Sequence, residues 1–380
     1  MSTPWWAYIV LALSISTMSS GGVWFALFTQ TPPIMQACWR LILTALLQSV
    51  GVVYELLSNR SLDAEFWAKY RRSLPLLMAI GAAIGCYFGT WGWSVAHTTL
   101  LDSLLLVCTT PLLLVVIMTL RWLYRRHSPS SVVISLQERT VAKETDAMIF
   151  TSTATPTLFE TIVCPLVALP PTWMEAAGAL VGFSGVVVLL SSTSDQSTQT
   201  HPVTLAGNIA SMVGALVLIV YLEGGAACRQ WMPLFIYSLS VTAFGAVCLA
   251  IASLMLEPQT SVVGLGPAAL FGFFGDWQLF GLAFGAAFVA GFFGHACLNS
   301  VVVHVSPLLV SVSGLWEPLL GSYMGYLAGV QGQPDLMTLV AAPLLLGGAL
   351  LVTLGGRQEA TTTMGALTSV SRRNSLVVHA

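Results

Sequence analysis

Ten stretches of this chain are long and apolar enough to cross a bilayer, and they leave it few ways to fold. A hydrocarbon core ~30 Å thick needs about 20 residues of helix, and only helices or closed barrels satisfy their own backbone there. The stretches run roughly over 5–28, 33–57, 74–96, 99–123, 174–191, 205–222, 233–256, 277–303, 306–329 and 337–355. Charged residues make up 8% of the chain and hydrophobic residues 56%, whereas a soluble domain carries about 25% charged residues. The predicted class is therefore an all-α, multi-pass membrane protein, with the identity of the membrane left open. A net charge of −2 argues against a nucleic-acid partner. The seven cysteines lie mostly within apolar stretches and form no C-x-x-C or metal-type spacing, so they read as small packing residues. MSTPWW has no basic n-region, and the stretch after it is too long for a signal sequence, so the first span is expected in the mature protein.

Lys and Arg set the expected orientation. Outside the spans they are Arg60, Lys69, Arg71, Arg72, Arg125, Arg126, Arg139, Lys143, Arg229, Arg357, Arg372 and Arg373, with Arg121 at a span end. With both termini inside, all of these are cytoplasmic and the opposite loops hold none, as the positive-inside rule requires. The connection between the fourth and fifth spans is polar, Ser/Thr-rich and expected to be disordered. The apolar piece 158–169 that follows it is too short to span. In the tail, RRNS at 372–375 resembles a basophilic-kinase site at Ser375.

The ninth stretch, Ser306 to Gly329, carries Glu317-Pro318 near its middle. Counted from Ser306, Glu317 lies ~16 Å deep, close to the midplane. A charge there costs ~2.5–3.5 kcal/mol even on the lenient insertion scale. Pro318 removes a backbone N–H and predicts a kink beside the acid. An intramembrane acid reads first as a functional site and otherwise as a buried Glu bonded to freed backbone.

The two halves of the chain resemble each other. His97 precedes Pro111-Leu112-Leu113 by the same fourteen residues that separate His304 from Pro318-Leu319-Leu320, an offset of 207. Met174–Gly185 matches Met337–Gly348 at an offset of 163, and the polar insert accounts for the difference. Pro33 and Pro233 open the second and seventh spans. Five helices repeated twice enter the membrane in opposite senses, which is the inverted-repeat plan of secondary transporters, with the solute site near the midplane. The expected organisation is helices one to four in 1–124, an insert with its short apolar segment in 125–170, helix five in 171–192, helices six to ten in 205–356 and a disordered cytoplasmic tail in 357–380. Thr110-Pro111 and Glu317-Pro318 become equivalent, and the central cavity is expected between the fourth and ninth helices.

Several further residues suit a solute site. Arg40 lies ~10 Å below Pro33 and must pair or reach water; a solute carboxylate, Asp102 or Glu317 could serve it, and a structural or snorkelling Arg is the alternative. Asp102 could instead be a first-turn acid held by its helix N-terminus. His295 and Asn299 share a helix face, where the histidine could relay protons or simply pack. Tyr87, Trp91, Trp93 and Trp24 could line a pocket or form interfacial belts, whereas Trp316, beside the midplane acid, fits a belt poorly. Gly81, Gly85 and Gly89, and likewise Gly321, Gly325 and Gly329, form small-residue stripes suited to close packing or sliding.

At these residues the chain resembles the drug/metabolite transporter superfamily, in its EamA-like branch. The resemblance rests on Trp39-Arg40 in the second span, LLLVCTTPLLLVV in the fourth, GLWEPLLGSYMG in the ninth, and the glycine-bearing GALVGFSGVVVLL and LLLGGALLVTLGG of the fifth and tenth. It covers the chain except for 125–170 and the tail. The family often has an acidic residue soon after each proline span; here Glu160 lies across the insert, and Gln331 or Asp335 stands in the second half. The resemblance implies a transporter of small organic solutes rather than an enzyme. The expected substrate-binding set is Glu317, Arg40, Thr110, Trp316, Asp102, Tyr87, Trp91 and Asn299, with Glu317 and His295 as coupling groups. No cofactor or metal is expected. Expected partners are the solute, protons and the lipid bilayer, with a homodimer left open. An intramembrane enzyme or a non-transporting receptor or scaffold is the alternative; no H-E-x-x-H, G-x-S-x-G or paired intramembrane aspartates occur.

Overall fold

The computed structural model describes residues 3–58, 62–97, 106–127, 132–133, 150–151, 170–191, 204–330 and 340–356. Asp102, Asn59, Glu160, Gln331, Asp335, Ser375, segment 158–169 and most of the insert lie outside the described residues. The described residues are almost entirely helical. The helices are α1 (Trp5–Ser19), α2 (Gly21–Leu27), α3 (Pro33–Ser58), α4 (Ala64–His97), α5 (Thr110–His127), α6 (Trp173–Ser191), α7 (Leu205–Arg229) and α8 (Leu234–Leu256). They continue with α9 (Trp277–Ala286), a π-helical segment (Ala287–Gly294), α10 (His295–Val301), α11 (Pro307–Gly314), α12 (Glu317–Leu327) and α13 (Val340–Gly356). The one strand pairing among the described residues is β1 (Val132–Val133) with β2 (Phe150–Thr151). Six helical stretches are long and apolar enough to cross a membrane: Trp5–Leu27, Pro33–Ser58, Ala64–Ser94, Leu205–Arg229, Leu234–Leu256 and Trp277–Val301. Their outer faces expose large apolar side chains such as Val50, Leu57, Ile251 and Met255, which suits lipid rather than water.

Helix boundaries depart from the sequence expectation at several places, three of which bear on the site. The third span starts at Ala64, ten residues before 74, because Asp63 caps it by accepting from Phe66 N at 2.8 Å. Lys69, Arg71 and Arg72 therefore lie on a helix rather than in a loop. The continuous helix of the fourth span starts at Thr110, after a turn at Cys108–Thr109. The ninth span has the same form: α11 ends at Gly314, Leu315–Trp316 form a turn, and α12 starts at Glu317. The proline is the second helical residue in both cases, where its missing N–H breaks no bond. The predicted kink is thus a break one residue upstream of the acid.

α3 and α8 form the centre of the bundle, with α4 packed against α8 and α7 against α4. A reciprocal exchange of caps fixes the first pair. Glu257, just beyond α8, accepts from Ile34 N at 2.8 Å and Met35 N at 3.1 Å at the start of α3. Glu55, near the end of α3, accepts from Phe235 N at 3.0 Å and Ile236 N at 3.0 Å at the start of α8. Each carboxylate meets N–H groups that have no partner inside their own helix, at the positive end of its dipole. Because each helix ends where the other begins, the pair is antiparallel.

Glycine decides how closely the second pair packs. A Cβ on Gly85 would lie 2.8 Å from Gly245 O, and one on Gly245 would lie 3.0 Å from Gly81 O. The 81/85/89 stripe is thus a close-packed face against α8. The second stripe is not one surface: a Cβ on Gly321 would meet Ser19 O, whereas Gly329 takes φ +71° just past the end of α12, a conformation that favours glycine. α6 and α13 cross equally tightly, with Gly178 and Gly182 against Gly348.

Candidate functional site

Arg40 stands at the centre of the polar interior. It is 5% exposed, seven residues into α3. Its Nη2 donates to Ala290 O at 3.2 Å, its guanidinium carbon sits 4.7 Å from the centroid of the Phe88 ring, and its enclosed Nε has no partner. Nη1 faces Gly21, where a side-chain carbon would stand 3.3 Å away. The acceptor Ala290 belongs to the π segment, and Thr44, one turn below Arg40, donates to Ala287 O at 3.2 Å in the same segment. A π-helical stretch realigns carbonyls that an α-helix would keep for itself, and such stretches cluster at functional sites.

Below Arg40 lies a cavity of about 20 Å³, lined among others by Thr44, Phe88, Tyr221, Ser238, His295 and Asn299. That volume holds a water and no organic solute. Its polar side chains form a file. Tyr221 Oη meets His295 Nδ1 at 3.0 Å and donates to Asn299 Oδ1 at 3.4 Å, while Asn299 Nδ2 donates to Ser238 Oγ at 3.1 Å. Arg229 Nε donates to Asn299 O at 2.8 Å and Arg229 Nη1 donates to Met232 O, so the file ends beside the cationic end of α7.

Glu317 approaches from the other side. It sits at the first position of α12, where the helix dipole favours an anion. It is half-buried. Arg40, Tyr87 and Cys108 lie within electrostatic range of it. No ion pair joins Glu317 to Arg40 among the described residues, where Arg121 and Glu223 do pair, at 2.5 Å.

The structure thus gathers Arg40, Glu317, Tyr87, His295 and Asn299 into one polar core, and it places the other expected residues elsewhere. Thr110 is buried and gives its hydroxyl to Val107 O at 2.8 Å, a carbonyl released by the break before α5. Trp316 is half-buried in the turn before α12 and packs on the apolar core. Trp91 lies edge-on to Phe25 at 5.4 Å and fastens α2 to α4. Trp24 donates to Ser20 Oγ at 3.2 Å and Trp93 stacks on His97 at 3.9 Å. The cavity beside Arg40 is lined by α3, α4, α7, α8, α10 and the π segment. α5 and α11 touch each other.

No family model matches the chain, and no curated protein matches it. A solved structure described only as the crystal structure of a protein is similar at a TM-score of 0.59 and 17% identity, over 93% of this chain and 98% of that one. The likeness is one of fold.

Sequence reasoning missed Thr44, Phe88, Tyr221 and Ser238 in the core, and Glu55 and Glu257 at the caps. Tyr221 and Glu257 carried a signal, as polar groups within or at the end of apolar stretches. Thr44 and Ser238 carried none, because hydroxyls are common in membrane helices, where they bond to their own backbone.

Proposed function

We propose that the chain is a secondary transporter of a small organic solute, working by alternating access on a plan similar to that of the EamA-like drug/metabolite transporters. The observation that carries this reading is the cap exchange between α3 and α8. Two helices that open on Pro33 and Pro233 donate matching N–H groups to carboxylates at each other's far ends. That is the contact expected of two halves related by a two-fold axis in the membrane plane. The matched breaks before Thr110-Pro111 and Glu317-Pro318 support the same symmetry. Arg40 and Glu317 then act as the charged anchors of a midplane site, Tyr87 and Phe88 as its aromatic wall, and His295, Tyr221 and Asn299 as the start of the path toward the Arg229 face. With room for only a water, the Arg40 cavity belongs to a closed state, and rocking of one half against the other opens it. The test is uptake or counterflow of a solute panel by the purified protein in proteoliposomes. Saturable, protein-dependent flux that Arg40→Gln and Glu317→Gln abolish is expected; absence of flux for every solute class sinks the reading.

A further inference from the structure

A guanidinium stays charged in a protein and carries five N–H donors in a planar fork. Arg40 meets one carbonyl, Ala290 O at 3.2 Å, while its enclosed Nε has no partner. Phe88 offers its ring face to the charge and no in-plane acceptor. Around it, Tyr221, His295, Asn299 and Ser238 bond to one another, and Thr44 donates to Ala287 O. Glu317 lies in electrostatic range but forms no ion pair with Arg40. A buried donor without an acceptor costs about 1–3 kcal/mol, more when charged, so this fork is built for an acceptor that the protein does not supply. Gly21 itself puts no side chain against Nη1, where a Cβ would stand 3.3 Å away. Arg40 is the one Lys or Arg among the residues lining the cavity, and Glu317 is nearby, so a dianion would face a deficit of positive charge.

We infer that the transported solute carries a carboxylate and that Arg40 binds it through its free N–H edge. This rests on the transporter reading and names the substrate class of the same site. A carboxylate is planar, singly charged and offers two oxygens that match the fork. Two sources share this chemistry: a zwitterion such as an α-amino acid, whose ammonium would face Glu317, and a plain carboxylate, which would need a proton on Glu317 to keep the site neutral.

The test uses the purified full chain in detergent and matched probes: benzoate with benzamide, lactate with lactamide, phenylalanine with phenylalaninamide. Thermal unfolding and titration read binding without transport. We expect at least one carboxylate to raise Tm and its amide to leave it unchanged. The shift vanishes in Arg40→Gln, and Arg40→Lys, which keeps the charge without the fork, weakens binding about tenfold. Stabilisation confined to phenylalanine assigns the zwitterion; stabilisation by benzoate or lactate assigns the plain acid. Equal effects of acid and amide, a carboxylate shift that survives Arg40→Gln, or no carboxylate shift at all overturns the inference. Arg40-dependent carboxylate binding without flux in proteoliposomes removes the transporter reading and leaves the carboxylate site standing. Flux of neutral or cationic solutes alone does the reverse.

Discussion

At the scale of single residues, the polar core separates groups that bind from groups that hold. Glu317 is half-buried and its carboxylate has no hydrogen-bond partner among the described residues, so neutralising it leaves no hydrogen-bonded group without its partner. Glu317→Gln should therefore insert and unfold like the parent protein while net transport is lost. Retention of full transport removes Glu317 from the mechanism, and loss of folded protein turns it into a structural residue. Tyr221 is the opposite case. Its hydroxyl serves both His295 and Asn299 inside the bundle. Tyr221→Phe strands two buried polar atoms and should cost about 1–3 kcal/mol, seen as a lower unfolding temperature in detergent. An unchanged melting curve would mean that water replaces the hydroxyl and that the file is wet.

Among helices, caps and glycines do the work that apolar burial does in water. Lipid is as apolar as a leucine side chain, so helix association depends on packing and polar contacts. Glu55 and Glu257 each close the open N-terminus of the other's helix, at opposite ends of the α3–α8 pair. Glu257→Gln and Glu55→Gln are each expected to destabilise by about 1–2 kcal/mol. The double variant should be additive within about 0.5 kcal/mol, because the two sites share no partner. Strong coupling between them in a denaturation series would show that the caps do not act as two independent latches.

For the whole molecule, orientation and symmetry give one further test. The basic residues fall on alternate connections, and with both termini inside this places the connection of α3 to α4 in the cytoplasm. The sequon Asn59-Arg60-Ser61 lies there. Expressed in a eukaryotic host, the protein should carry no glycan on Asn59, as judged by an unchanged mobility after glycosidase treatment. A glycosidase-sensitive shift lost in Asn59→Gln would invert the topology.

How much was legible in advance follows from the physics of the bilayer. A helix in lipid must satisfy its backbone within its own segment, so length and hydropathy pointed to the six membrane-length helices, though not to all of their ends or breaks, and prolines marked where several begin. Glu317 and Arg40 announced themselves because a charge in an apolar run is expensive. Which groups they meet was not readable, since a helix that is apolar all round does not say which face looks inward. Ala290 reaches Arg40 across 250 residues and Glu257 reaches Ile34 across 223. Only the tertiary packing decided those pairings, set the Arg40 cavity among α3, α4, α7, α8 and α10, and left the Arg40 fork short of an acceptor. The sequence by itself determined roughly where the membrane-length helices lie and that Arg40 and Glu317 stand within apolar runs. The contacts between helices, which depend on rotation about axes that hydropathy does not constrain, were decided by the fold.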